Sequence, residues 1–383
     1  MIAIQSNKRI AIFHNALDNI GGAELVDLIL ARELNADIYT TNINKEKIRK
    51  LGFPTENIYS IGKVPTNAPF RQEAIYWRFR FLNVRKRFKK KYHYYIIGGD
   101  WAMPATINNK PHIWYVFSPI REIWDLYKYT KNKMPNQLSK LLFSIWVLTR
   151  RKINYQDSKK VNKLIAISRN VQNRIEKYLK RKSTIIYPPT ETNLYKNKKS
   201  KNYWLSVNRL IDHKRVELQL KAFKNLPNEK LIIIGSYESS KHFERYANYI
   251  KKLKPKNVEI KSWVSQEELI NLYSECKGFL TTSLDEDYGM TPIEAMASGK
   301  PVIAPNEGGY KETITNQTGI LIDKITHNKI KEAIITINQK LAKNPKQFIK
   351  PCQEQAKRFD TQIFINKIKK EINYNDKNSN NPR

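Results

Sequence analysis

The sequence predicts an α/β protein built from two doubly wound parallel-sheet domains. Three observations carry this. Short β-branched runs alternate with longer amphipathic runs along the chain. The alternation stops once, at a polar, proline-containing stretch. It then starts again. In the first series the expected strands are RIAIFH (9–14), ADIYTT (36–41), YYIIGGD (94–100), HIWYVF (112–117), KLIAIS (163–168) and TIIYP (184–188), separated by helical runs such as GAELVDLILARELN and RNVQNRIEKYLKRK. The stretch YPPTETNLYKNKKSKNY (187–203) has no apolar period and reads as a connection. The second series has YWLSVNRL (203–210), KLIIIGS (230–236), VEIKSW (258–263), KGFLTTS (277–283), KPVIAP (300–305) and GILID (319–323), with helices RVELQLKAFKNL and SQEELINLYSEC between them. Ser265 and Glu268 are spaced as a capping box. The expected boundaries are a first domain over 1–190, a linker over 191–202, a second domain over 203–350, a helical segment over 351–374 packing back towards the first domain, and a disordered tail over 375–383.

Composition narrows the classes. The chain has 383 residues, about two domains by length, and 40% are hydrophobic, which excludes wholesale disorder. Only Cys276 and Cys352 occur, so a disulfide framework is excluded and a reducing cytoplasm is expected. The start, MIAIQSNKRIAIFHN, lacks the apolar stretch of a signal peptide, and the most apolar run, Leu141 to Leu148, is under half a membrane span. The expected location is therefore the cytoplasm, with attachment to a membrane face at most.

The charge is unusual: 69 Lys and Arg against 35 Asp and Glu, or +34. Residues 1–190 hold 35 of the cations and 13 of the anions. Such a field attracts nucleotides, acidic lipids or nucleic acid; a compositional preference for Lys is the competing explanation. Nine cations between Arg71 and Lys91 are interleaved with Tyr, Trp and Phe, a pattern suited to an anionic membrane surface. A solvated basic face with inward aromatics would read the same way. No nucleic-acid-binding module is recognisable.

The segment TSLDEDYGMTPIEAMASGKPVIAP carries the strongest local signal. Glu286 falls in a loop after a strand, Gly289 allows close backbone approach, Thr291 and Pro292 suit a helix start, and Gly299 suits its end. The N–H groups near Met290 and Thr291 would form an anion site flanked by Glu286 and Glu294. Thr291-Pro-Ile-Glu294 is also a good capping box, so spacing leaves both readings of Glu294 open. Arg209 and Lys214 follow a strand, where cations would meet a bound anion, although a chain this basic places many there by accident. Gly21-Gly22, between a strand and a helix, is either a phosphate contact or a simple turn. Arg121 either meets a ligand or pairs with Asp125. No Asp-x-Asp cluster is read as bringing a metal to a bound anion, and no Cys/His set with zinc spacing occurs.

Taken in order, VNRLIDHKR (207–215), EDYGMTPIEAMASG (286–299) and GGYKETITNQTGILI (308–322) resemble the motifs of the retaining glycosyltransferases of family four, most closely the branch with GDP-mannose-dependent mannosyltransferases. The resemblance is strong over 203–323 and looser before it. It implies the GT-B fold, two Rossmann-like domains with an interdomain cleft. It implies metal-independent transfer of a sugar, mannose from GDP-mannose or another GDP- or UDP-linked sugar, to a lipid-linked or polysaccharide acceptor. Arg209 and Lys214 would hold the leaving diphosphate and Glu286 the sugar, as the catalytic set. Gly21, Gly22, Gly289, Met290, Thr291 and Glu294 would bind donor, Glu294 at the ribose. The segment WYVFSPIREIWDLY (114–127) is also similar, which puts Arg121 on the acceptor side, but Phe117 stands where the family often has His, and Asn208 where Gly is common. Two alternatives stand beside the enzyme: an inactive chain of this fold that binds an anionic polymer, and a nucleotide-sugar epimerase. Intact Arg209, Lys214, Glu286 and Glu294 argue against the first; the scarcity of acid/base candidates among six histidines argues against the second.

Overall fold

A computed structural model describes residues 8–235, 241–262 and 264–379. The chain divides into two compact units, residues 1–187 with 364–383, and residues 188–363.

The first unit holds a seven-stranded sheet: β1 (Ile10–Phe13), β2 (Asp37–Thr40), β3 (Ile58–Ser60), β4 (Tyr94–Ile97), β5 (His112–Val116), β6 (Lys163–Ala166) and β7 (Thr184–Ile185). The strands are all parallel, in the order β3-β2-β1-β4-β5-β6-β7. Ile12 stands opposite Ile38 on one side and Ile96 on the other. A parallel sheet is covered on both faces, and β1, β4 and β5 are buried at every position. The strand order reverses between β1 and β4, so the crevice at their carboxyl ends is where a ligand is expected. His14, Asn15 and the Gly98–Trp101 segment follow those ends.

The second unit repeats the plan with β8 (Trp204–Val207), β9 (Leu231–Ile234), β10 (Val258–Lys261), β11 (Gly278–Leu280), β12 (Val302–Pro305) and β13 (Gly319–Ile322), parallel in the order β10-β9-β8-β11-β12-β13. Its reversal lies between β8 and β11, which delivers Asn208–Lys214 and Thr281–Gly289 to one end of the sheet. Both units are thus the doubly wound, Rossmann-like sheets expected.

Several local expectations change. Strand β3 was not anticipated; it is three residues long and exists by pairing with β2. The run RNVQNRIEKYLKRK is helical only from Arg169 to Arg174, then widens through Ile175–Leu179 and stops at Lys180, whose φ is 52°. Ser265 does cap its helix, accepting from the Glu268 N–H at 3.1 Å, but the Glu268 carboxylate turns to Lys261 at 2.8 Å, so the box is half formed. Trp263, Ser236 and the first seven residues lie outside the described residues.

The stretch expected as a linker over 191–202 is held to the second unit. The Lys198 N–H donates to the Ser274 carbonyl and the Lys201 N–H to the Glu275 carbonyl. Helix Ile349–Lys357 also stays with that unit: its own Cys352 is buried, and Gln355 Nε2 donates to the Thr313 carbonyl at 2.9 Å. Chain from Phe364 onward belongs to the first unit, where the Phe364 ring meets Tyr115 and Lys163 pairs with Glu371. Helix Thr361–Ser379 runs through much of the expected tail, and residues 380–383 lie outside the described ones.

Candidate functional site

In the second unit, the loop between β11 and helix Met290–Ala297 is built from several directions at once. Leu284 N–H donates to the His213 carbonyl at 2.8 Å. Arg215, itself at φ 50°, reaches across to the Thr282 carbonyl (2.6 Å), the Ser283 carbonyl (3.0 Å) and the Glu307 carboxylate (2.9 Å). Gly309 N–H donates to the Glu286 carbonyl at 2.8 Å. The loop is therefore fixed by fork-like guanidinium bonds and backbone pairing before any ligand arrives.

That frame sets Glu286 against Lys214, with Nζ to Oε2 at 2.6 Å. Both side chains are partly buried, at 22% and 14% exposure. Burial pushes the Glu286 carboxyl up, but the Lys214 ammonium, the Ser283 hydroxyl and His213 outweigh it and hold the pKa at about 2. Glu286 is thus ionised at any ordinary pH. An ammonium has three donors, of which Glu286 takes one.

Helix Met290–Ala297 begins two residues earlier than the sequence suggests. Gly289, at φ 88° and ψ 83°, is its N-cap; Thr291 lies inside the first turn and does not cap. The capping-box reading of Thr291 and Glu294 therefore fails. A left-handed glycine reverses the chain here, and a Cβ would strike the Tyr310 ring. Glu294 faces the hydroxyls of Tyr195 and Tyr273 instead; burial prevails over those hydroxyls and raises its pKa. Gly299, at φ 71°, ends the helix as expected. Arg209 follows β8 and is exposed.

The structure therefore brings Lys214, Glu286 and Gly289 together by bonds within one unit. Arg215, Glu307 and Gly308 were missed. Arg215 and Glu307 are 92 positions apart, and no local pattern announces such a pair. Gly308, at φ 56°, packs so closely that a Cβ would collide with the Glu286 carbonyl oxygen and backbone nitrogen. Gly308→Ala is expected to cost about 1–3 kcal/mol through strain alone and to displace Glu286. Thermal unfolding and turnover measured together would test this; an unchanged melting temperature would show that the loop yields freely.

The first unit's strand ends hold a second polar cluster. His14 is buried between two carboxylates: Nδ1 lies 2.7 Å from Asp27 Oδ2 and Nε2 lies 3.2 Å from Glu24 Oε1. Burial works against the imidazolium, but the bonds to Asp27 and Glu24 prevail and raise its pKa to about 10. Burial raises Asp27; His14 overrides burial at Glu24 and lowers it. Glu24 also accepts the Gly21 N–H at 2.8 Å, so the Gly21 amide expected to contact donor is already taken. Gly22 is the first helical residue and is exposed. Asn15 donates to Asp100 at 2.6 Å. Burial raises Asp100, and burial with Asp100 nearby raises Glu122 to about 7. His14 directly follows β1 and Asp100 follows β4 after Gly98-Gly99, a position at strand ends that is the one sequence signal that could have flagged them.

Arg121 closes on Asp125, Nε to Oδ2 at 2.9 Å, and Arg174 approaches the same carboxylate at 3.7 Å. The segment 121–126 is a run of turns. An acceptor role for Arg121 would require that pair to open.

Residues 189–355 match the family model described as glycosyl transferases group 1. An uncharacterised glycosyltransferase of Methanocaldococcus jannaschii is 29% identical over 197 residues, 49% of this chain and 55% of that protein, so the chain spans about half the length of that relative. The O-antigen chain mannosyltransferase RfbU of Salmonella typhimurium is 28% identical over 55% of this chain and 67% of its own. Among solved structures, Anabaena HepE in complex with UDP and glucose superposes with a TM-score of 0.73 at 16% identity, covering 96% of this chain and 100% of that one. At that identity the likeness is one of fold, and the fold is GT-B.

Proposed function

We propose that the chain, whose residues 189–355 match the glycosyl transferases group 1 model, transfers a sugar from a nucleotide diphosphate donor to a glycan acceptor with retention at the anomeric carbon. The Lys214–Glu286 pair, held beside the glycine-started helix Met290–Ala297, carries this reading. The donor diphosphate lies at the helix start, on the Met290 and Thr291 N–H groups, with Arg209 and Lys214 supplying positive charge. Glu286 accepts hydroxyls of the donor sugar and Glu294 those of the ribose. As the bond from C1 to the diphosphate oxygen breaks, the acceptor oxygen bonds C1 on the same face, and its proton passes to the departing phosphate. Charge develops on that phosphate, where preorganised cations stabilise it most.

The donor is GDP-mannose on this reading, supported by the relative named a mannosyltransferase; the UDP in HepE makes a UDP-sugar the competing donor. The acceptor is a lipid-linked or polysaccharide glycan of surface-glycan synthesis, met at the cytoplasmic face of an anionic membrane. Among the described residues no helix is long and apolar enough to cross a membrane. Nucleic acid is not a partner on this reading.

A panel of nucleotide sugars, assayed for release of GDP or UDP with and without excess EDTA, tests the proposal. Release from one donor, undiminished by EDTA, is expected. Activity abolished by EDTA and restored by manganese or magnesium would overturn the metal-independent step. Release of nucleotide from none of the panel would overturn the transfer itself.

A further inference from the structure

Two neighbouring helices of the first unit, Phe70–Arg80 and Gln137–Ser158, leave large apolar side chains in the open. Leu138, Leu141, Leu142, Ile145 and Leu148 are each 54–66% exposed, Phe70 and Phe81 69% and 73%, and Trp77 44%. The five on the longer helix recur at intervals of three and four and form one stripe. The Trp77 and Phe81 rings stack at 5.8 Å.

Both stripes open to the same side. Glu73 meets Trp146 and Arg150, while Tyr76 and Arg80 meet Asp157, so the helices run parallel. At about 100° per residue, Phe70, Trp77 and Phe81 sit clockwise of Glu73, Tyr76 and Arg80, viewed from the N-terminal end. The leucine stripe sits anticlockwise of Trp146, Arg150 and Asp157. Facing helices that point the same way bring a clockwise and an anticlockwise stripe to one surface.

The fringe of that surface is cationic. Lys152 continues the leucine stripe, and Arg85, Lys86 and Arg87 come directly after the turn that follows Phe81; all four are exposed. Arg87 Nη2 also donates to the Ile61 carbonyl at 3.0 Å, and other cations of the same region pair with carboxylates: Arg71 with Asp18, Arg80 with Asp157 and Lys90 with Asp37.

We propose that this double ridge is inserted into the headgroup layer of an anionic bilayer, with the apolar side chains below the phosphates and the cations among them. The inference rests on the membrane part of the proposed function and gives it a surface. An apolar stripe with a basic border is the pattern of an interfacial helix. A second copy fits poorly, because a two-fold contact through this face would bring the same cationic fringes together.

Flotation with phosphatidylcholine vesicles, alone or mixed with phosphatidylglycerol, tests it. The wild type is expected to float with the mixed vesicles, and brominated lipid should quench its tryptophan fluorescence. Combined Leu141→Gln, Leu142→Gln, Ile145→Gln and Leu148→Gln should lower binding roughly tenfold or more, with an unchanged melting temperature. Reversing Arg85, Lys86 and Arg87 together should weaken binding mainly at low salt, where charge is least screened. Release of UDP or GDP, followed separately, distinguishes the two readings. Ridge-dependent flotation without sugar transfer would sink the enzymatic proposal and leave this one standing. Transfer with flotation indifferent to the glutamines, or with no flotation, would overturn the insertion. So would a lipid-free dimer in sedimentation velocity that the glutamines dissociate.

Discussion

Glu286→Ala and Lys214→Ala should each lower turnover by about two orders of magnitude, the scale of losing one preorganised contact to a transition state. The double variant should fall little further, because the two side chains act as one unit, 2.6 Å apart. A titration separates the site from a mere fold defect. Glu286 has a folded pKa of about 2, below its ordinary 4.5. A depressed carboxylate contributes stability that is complete above its unfolded pKa and is lost as the pH falls through the folded one. Lys214→Ala removes the cation responsible, so it should flatten this part of the acid limb between about pH 5 and pH 2. Both variants keeping near wild-type turnover, with a verified donor and an intact fold, would refute the assignment of the pair.

The largest effect on stability is expected at Asp27. Removing one partner of a buried ion pair costs up to about 3–5 kcal/mol; His14 and Asp27 are 2% and 0% exposed, and without Asp27 the buried His14 keeps only the longer contact to Glu24. Asp27→Ala should therefore lower the melting temperature strongly or prevent folding at 37 °C. The pH dependence has a definite sign. His14 is raised from 6.5 to about 10, so its contribution is complete below 6.5 and drains away as the pH rises towards 10. Thermal unfolding from pH 6 to pH 10 should show the wild type losing stability across that window. Asp27→Asn, which removes the charge and keeps the shape, should show a shallower decline. Equal slopes would mean that Asp27 is not what raises His14.

These two sites differ in how far sequence reveals them. Lys214, Glu286, Gly289 and Glu294 belong to short motifs that a local reading finds, and the strand ends that carry them follow from hydrophobic runs. Thr291 misled because T-P-x-E has the spacing of a capping box; only the left-handed φ of Gly289 shows that the helix has already begun. The clamps around the loop are invisible for another reason. Arg215 with Glu307, and Gly308 against Glu286, are contacts between distant segments made adjacent by strand order. The ridge was half legible. The run from Leu141 to Leu148 stands out in sequence, but Phe70, Trp77 and Phe81 join it only because Glu73 aligns the two helices.

The route of the chain also sets an order of events during synthesis. Phe364, Ile365, Ile368 and Ile372 are buried, in the unit whose other residues end at Tyr187. The second unit needs nothing beyond Ile363, and its two ends are knotted together where Thr190 N–H donates to the Phe359 carbonyl and Thr361 N–H to the Thr190 carbonyl. A nascent chain ordinarily folds from its beginning. Here the second unit has its whole complement of residues by Ile363, whereas the first cannot complete its core without residues as far as Ile372.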